Sequence, residues 1–285
     1  MSWIDLIKGF FTKAVQTNWD TAGPTFVELS GAETPPPKAL DVVNANAGNS
    51  SAEPAWNPSE RWSGGWYGLA HKRPAHVGRI GATINPRAIV VHTTDTMPGG
   101  FAAIVKSWTS KPGAGNAAHF MIGRTEQDGI MQFAPITKNA NHAGGPTSGK
   151  FKTPDGKLHH PNTVCVGIEL DAGGALKRDA RGFYHPDTKR RVDDDDVFID
   201  TRGRGWHVVT KYQRAALNQL CADLQHTLKP FEPGTKVIPS GDYKKNVVPW
   251  ADSGGWIYPR NCVGHVTLNP VNKTDPGPQV IGWLG

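Results

Sequence analysis

The stretch GHVTLNPVNKTDPGP, residues 264–278, holds a His, a Lys and an Asp between glycine and proline punctuation. Pro270, Pro276 and Pro278 cannot continue a helix interior, so His265, Lys273 and Asp275 are expected to be presented from a loop. A second histidine, His92, lies near the end of the apolar run RAIVVHTT at 87–94, followed by the polar Thr93, Thr94 and Asp95. Two histidines and one carboxylate, with a fourth position left to water, make a sound catalytic zinc set. The spacing 92, 265, 275 does not by itself single out a metal, and a capped strand end explains His92 as well. Lys273, two residues before Asp275, is placed to face the same metal and stabilise an oxyanion or a substrate carboxylate; the plain alternative is a solvated loop lysine.

Such groups need a frame. RAIVVHTT is short, apolar and β-branched, which predicts a buried strand. FAAIVKSW at 101–108 puts Phe101, Ile104, Val105 and Trp108 on one helical face, and the strand-like runs AAHFMIGR and GIMQFAPI are split by TEQDG, a hairpin signal. NTVCVGIELD at 162–171 predicts another strand. Thr210 and Gln213 form a capping box before a helix over 210–228, with Leu217, Leu220, Cys221, Leu224 and Leu228 on one stripe. Strands alternate with helices, so the body is expected to be α/β with a mixed central sheet flanked by helices.

Residues 3–17 carry Trp3, Leu6, Ile7, Phe10, Phe11, Ala14 and Val15 at helical spacing, which predicts an amphipathic N-terminal helix within 1–20. Residues 21–60, rich in Pro, Ala, Asn, Ser and Glu, read as a linker, and 61–285 as the globular domain. Residues 1–60 hold three lysines against seven carboxylates, a net of −4, so the body bears +10 of an overall +6. A basic body suits an anionic polymer such as nucleic acid or bacterial cell wall. No helix with clustered Lys or Arg and no recognisable motif supports nucleic acid. Cys165, Cys221 and Cys262 are too scattered for a disulfide framework and are expected as buried thiols. No apolar run approaches the ~18 residues that span a bilayer. The start, MSWIDLIKGFF, lacks a basic leader and a small-residue cleavage site, so the chain is expected to be made in the cytoplasm and to act on the cell wall or periplasm after delivery.

The blocks VVHTT, AAHFMI with DGIMQFAPITKNANHAGG, NTVCVGIELD and GHVTLNPVNKTDPGP stand in the order seen in zinc-dependent N-acetylmuramoyl-L-alanine amidases of the amidase-2 family, which share a fold with peptidoglycan recognition proteins. Over about 85–285 the chain resembles that family, most of all its cell-wall recycling branch. The resemblance implies one catalytic Zn²⁺ held by His92, His265 and Asp275, with Glu169 as the catalytic glutamate. Alternation along VGIELD sets Gly167 and Glu169 opposite Val166, Ile168 and Leu170. The resemblance further implies substrate binding by His142 and Asn162, although a structural role for His142 fits as well. His119 reads as a core-anchoring histidine. Some lytic phage relatives have a catalytic tyrosine where this chain has Ala118, which moves the water-activating role towards Glu169.

The chain departs from compact members in an insertion at about 172–205, with an aspartate run at 193–196 that reads as a solvated charge run. The resemblance implies hydrolysis of the amide between N-acetylmuramic acid and L-alanine in peptidoglycan, in a phage lysin or a delivered lytic effector. A non-catalytic peptidoglycan-binding protein and an intracellular muropeptide-recycling amidase are the alternatives. Peptidoglycan is the expected partner, with a membrane surface or delivery partner engaging residues 3–17.

Overall fold

The computed structural model describes residues 61–97, 99–110, 115–145, 148–240, 261–270 and 272–284. The helix expected over 3–17 and the linker over 21–60 lie outside the described residues. Six strands build the central sheet: β1 (His71–Lys72), β2 (Ala88–Thr93), β3 (Phe120–Ile122), β4 (Ile130–Gln132), β5 (Cys165–Leu170) and β6 (Cys262–Gly264). Their spatial order is β6-β2-β5-β3-β4-β1. β2 is parallel to β5 and β6, β5 to β3, and β1 to β4, whereas β3 and β4 pair antiparallel. The sheet is mixed, and the helices α1 (Phe101–Ser110), α2 (Pro161–Val164), α3 (Lys211–Gln225), α4 (His265–Leu268) and α5 (Pro278–Leu284) complete an α/β fold.

Alternation along the two central strands sorts their side chains between two cores. Ile89 and Val91 of β2 and Val166, Ile168 and Leu170 of β5 pack with Leu217, Leu220, Cys221 and Leu224 of α3. Ala88, Val90, Cys165 and Val263 turn the other way, towards Phe151, Phe231, Val237 and Leu268. His92 and Glu169 continue this second set, away from α3. They are cross-strand partners in the β2–β5 register. The helix that stabilises the sheet therefore leaves the face with the polar pair to other elements.

α3 begins as its sequence dictates: the Thr210 hydroxyl accepts from the Gln213 amide, and the Gln213 side chain accepts from the Thr210 amide. Near its other end, Asp223 fastens the hairpin of Trp62–Ser63 and Trp66–Tyr67. The Asp223 carboxylate accepts from Arg61 at 2.7 Å, from the Tyr67 hydroxyl at 2.5 Å and from Gln219 at 3.1 Å. Burial, then Asp223, pushes the Tyr67 phenol well above its ordinary range. Asp223→Ala should remove the acceptor shared by a largely buried guanidinium and a buried phenol, a loss of about 3–5 kcal/mol. Urea midpoints read this directly; a drop under about 1 kcal/mol would show that the hairpin is not held this way.

Two local expectations change. The segment starting at Asn162 is not yet strand: Pro161–Val164 is a helical turn whose N-cap His160 accepts from the Asn162 amide, and the strand starts at Cys165. Pro161 fits the first turn because its missing N–H would be unpaired there anyway. His265 likewise opens the helical turn α4 instead of a loop, and Pro278 starts α5; the irregular run between them carries Lys273 and Asp275. The insertion folds as two hairpins, Lys177–Asp179 with Gly182–Tyr184 and Val197–Ile199 with Gly205–His207. Met97, Leu176, Phe183 and Val192 give it a small core. Asp193, Asp194 and Asp195 are exposed, and Asp196 pairs with Arg124 at 3.1 Å. All three cysteines are buried thiols. Among the described residues no helix is long and apolar enough to cross a membrane.

Candidate active site

Three elements converge on the face away from α3. β2 supplies His92, the first residue of α4 is His265, and the irregular run before α5 supplies Asp275; all three are buried. Asp275 Oδ2 lies 3.1 Å from His265 Nδ1 and 3.3 Å from His92 Nδ1. One ligand atom from each residue falls within 4.8 Å of the others. The Val266 amide donates to the Asp275 carbonyl at 2.8 Å, which ties α4 to the run that carries the carboxylate.

The charges are set by this packing. Burial alone would raise the Asp275 carboxyl, but the His265 charge and hydrogen bonds from His265 and His92 hold it well below the usual carboxylate range. Burial and the His265 charge lower His92 to about 4, so it stays a neutral imidazole near pH 7. Two imidazole nitrogens and one ionised carboxylate oxygen form a donor set suited to a divalent borderline metal that takes its fourth ligand from outside the protein.

His142 lies behind His92, its Nδ1 3.0 Å from His92 Nε2. A cation at His92 Nδ1 requires the His92 proton on Nε2, which then donates to His142 Nδ1 and fixes the ring. Gly167 makes this approach feasible, because a Cβ there would sit 2.4 Å from His142 Cγ. Asn162 is used up locally: its Oδ1 accepts from the Ala143 amide at 2.7 Å and its Nδ2 donates to the Gly144 carbonyl at 3.1 Å. The resemblance implies that Asn162 touches substrate; in the structure its side chain holds the backbone just after His142.

Glu169 borders the site from β5, in register with His92. Its Oε2 is buried without a hydrogen-bond partner among the described residues. Burial, followed by the charges of Asp275 and Asp95, raises its pKa well above the ordinary carboxylate range, against the opposing charge of Lys273. Lys273 is exposed and forms no ion pair with a described residue, while its charge is felt at His92, Asp95 and Glu169. Asp95, three residues past His92, adopts a left-handed backbone at φ 51° that its residue type does not announce. Only its place after a strand-end histidine could have marked it.

His119 is fully satisfied: its Nδ1 accepts from the Gly167 amide at 3.0 Å, so Nε2 donates to the Lys138 carbonyl at 2.7 Å. Burial lowers its pKa from 6.5 to about 4, only partly offset by the Lys138 carbonyl. Below pH 6.5 the unfolded chain takes up a proton that the folded chain refuses until about pH 4. The stability tied to this residue is thus intact above that window and falls by roughly 3 kcal/mol as pH drops through it. Urea midpoints between pH 7 and 4 should decline less steeply in His119→Gln than in the parent; equal slopes would contradict this.

Residues 82–278, more than half of the chain, match the family of N-acetylmuramoyl-L-alanine amidases called Amidase_2. The chain belongs to the amidase-2 family. Three solved structures similar to this amidase-2 chain share about a fifth of its residues or fewer. AmpDh3 from Pseudomonas aeruginosa is 21% identical with a TM-score of 0.39, the match covering 70% of this chain and 57% of that one. The N-acetylmuramyl-L-alanine amidase AmiD from E. coli, solved with anhydro-N-acetylmuramic acid-L-Ala-D-gamma-Glu-L-Lys, is 20% identical with a TM-score of 0.41, over 72% and 59%. The endolysin amidase LysCS from Clostridium intestinale is 16% identical with a TM-score of 0.34, over 71% and 84%. The chain thus spans under two thirds of the length of the first two. Comparison with curated proteins gives no match.

Proposed function

We propose that this chain is a zinc hydrolase that cleaves the amide bond between the lactyl group of N-acetylmuramic acid and L-alanine in bacterial peptidoglycan. The observation that carries the reading is the convergence of His92, His265 and Asp275 beside Glu169 in a chain of the amidase-2 family. Bound at these three residues, zinc would supply Lewis acidity and lower the pKa of water from 15.7 to about 7. Glu169 takes the proton of the attacking water at its carboxylate and returns it to the nitrogen of the departing L-alanine. Lys273, from the same run as Asp275, offers its ammonium to the oxyanion that develops on the lactyl carbonyl. His142 keeps His92 aligned.

We place this chemistry in a phage lysin or a delivered lytic effector. Residues 61–285 would be the catalytic domain with its insertion, residues 21–60 a tether, and residues 1–20 an amphipathic helix for a membrane surface or delivery partner. The test incubates the full chain and a variant lacking residues 1–20 with purified sacculi. Both should release peptides with new L-alanine amino termini, while the deletion loses membrane or partner association. Binding to sacculi without release of such termini would favour a non-catalytic wall-binding protein. A much lower melting temperature of the deletion variant would show that the helix belongs to the enzyme's own core.

A further inference from the structure

The insertion touches the backbone next to the metal-binding set at two places, Gly277 and Asp95. Asp275 sits on a run without regular structure, and the chain beyond His92 leaves β2 at Thr93. The Val266 amide holds Asp275 and the Leu170 carbonyl holds Thr94 from within the central fold, and the insertion adds a contact to each segment. At Gly277, two residues past Asp275, φ is +83° and a Cβ would lie 2.8 Å from Trp206 Cε3, so the indole rests directly on this turn. The indole is itself fixed: Trp206 Nε1 donates to Asp200 Oδ2 at 3.1 Å. Asp200 also accepts from the Arg202 and Arg204 amides and from Arg204 Nε at 2.8 Å, which orders the hairpin turn that presents the ring.

The second place is reached by His185, buried in the same insertion. Its Nδ1 faces the Asp187 and Thr188 amides at 3.3 Å, so Nε2 carries the proton and donates to the Asp95 carbonyl at 3.0 Å. That bond restrains Asp95 in its left-handed conformation, three residues beyond His92. The two contacts share one body. Phe183, two residues before His185, is close enough to Gly205, just before Trp206, that a Cβ there would lie 2.3 Å from its ring, and the His207 amide donates to the Gly174 carbonyl.

We propose that residues 172–207 form a clasp that positions the metal site, with Trp206 seating the Asp275 turn and His185 pinning the chain that leaves His92. Both are positioning residues acting through backbone next to the ligands. The inference rests on the metal reading above. Groups that orient ligands from outside the coordination sphere typically cost about 10- to 100-fold in metal affinity when removed. A side chain that merely fills the insertion's core would lower stability and leave affinity unchanged.

The test measures zinc affinity of the whole chain by competition with a chromophoric chelator, well below each variant's melting temperature. Trp206→Leu and His185→Ala should each weaken zinc binding by about tenfold or more. Trp206→Phe, which keeps an aromatic ring over Gly277, should stay within a few-fold of the parent. Parent-like zinc affinity in folded Trp206→Leu and His185→Ala overturns the clasp. If Trp206→Leu does not fold, His185→Ala decides on the same criterion. A parent chain that binds no zinc overturns the metal reading instead, so the two failures are distinct.

Discussion

Removing the metal from the purified protein is expected to abolish peptidoglycan hydrolysis, and one equivalent of zinc to restore it. Glu169 alone cannot generate a competent nucleophile from bulk water near neutral pH, whereas bound zinc brings water's pKa to about 7. Several kcal/mol of transition-state stabilisation leave with the metal, and each 1.36 kcal/mol is tenfold, so the loss should be roughly 10³-fold or more. The apo protein should remain folded, because Asp275 keeps its contacts with His265 and His92 and the cores lie elsewhere. Zinc then raises the melting temperature only by mass action. Undiminished turnover by protein with no detectable metal would contradict the assignment.

The second large effect is expected from Glu169→Gln, which nearly preserves shape and removes the base. Turnover should fall by about 10²-fold or more, the usual scale for general base catalysis, with zinc content unchanged. The residue works deprotonated, and its pKa is raised by burial and by Asp275 and Asp95. Activity in the parent should therefore fall on the acid side as Glu169 takes up its proton. That acid limb should be missing in Glu169→Gln. Zinc loss in parallel with activity would make Glu169 a support of the metal set, and unchanged turnover would remove it from the mechanism.

The parts legible in the sequence are those whose signals are local. RAIVVHTT is apolar enough to be a buried strand and supplies β2, and the Thr210–Gln213 box sets the start of α3. Alternation in VGIELD placed Glu169 opposite the apolar side chains, and the β2–β5 register adds that it stands beside His92. What the sequence missed depends on partners remote in the chain. Asn162 reads as part of a strand, yet Pro161 and His160 build a helical turn there and its amide is taken by Ala143 and Gly144. Trp206 and His185 lie in an insertion whose charge runs and aromatics do not show, from sequence, what they touch. Their contacts with Gly277 and Asp95 exist only once the fold brings those segments together.

The most direct measurement of the central claim is the site of bond cleavage, read by mass spectrometry on a single defined muropeptide hydrolysed in heavy-oxygen water. Attack at the lactyl carbonyl should place the heavy oxygen on the new carboxylate of the N-acetylmuramic acid product. The peptide should then begin with an unlabelled L-alanine bearing a free amine. Heavy oxygen on a peptide carboxylate would make the chain a peptidase, and heavy oxygen at the sugar's reducing end a glycosidase; either result would contradict the account.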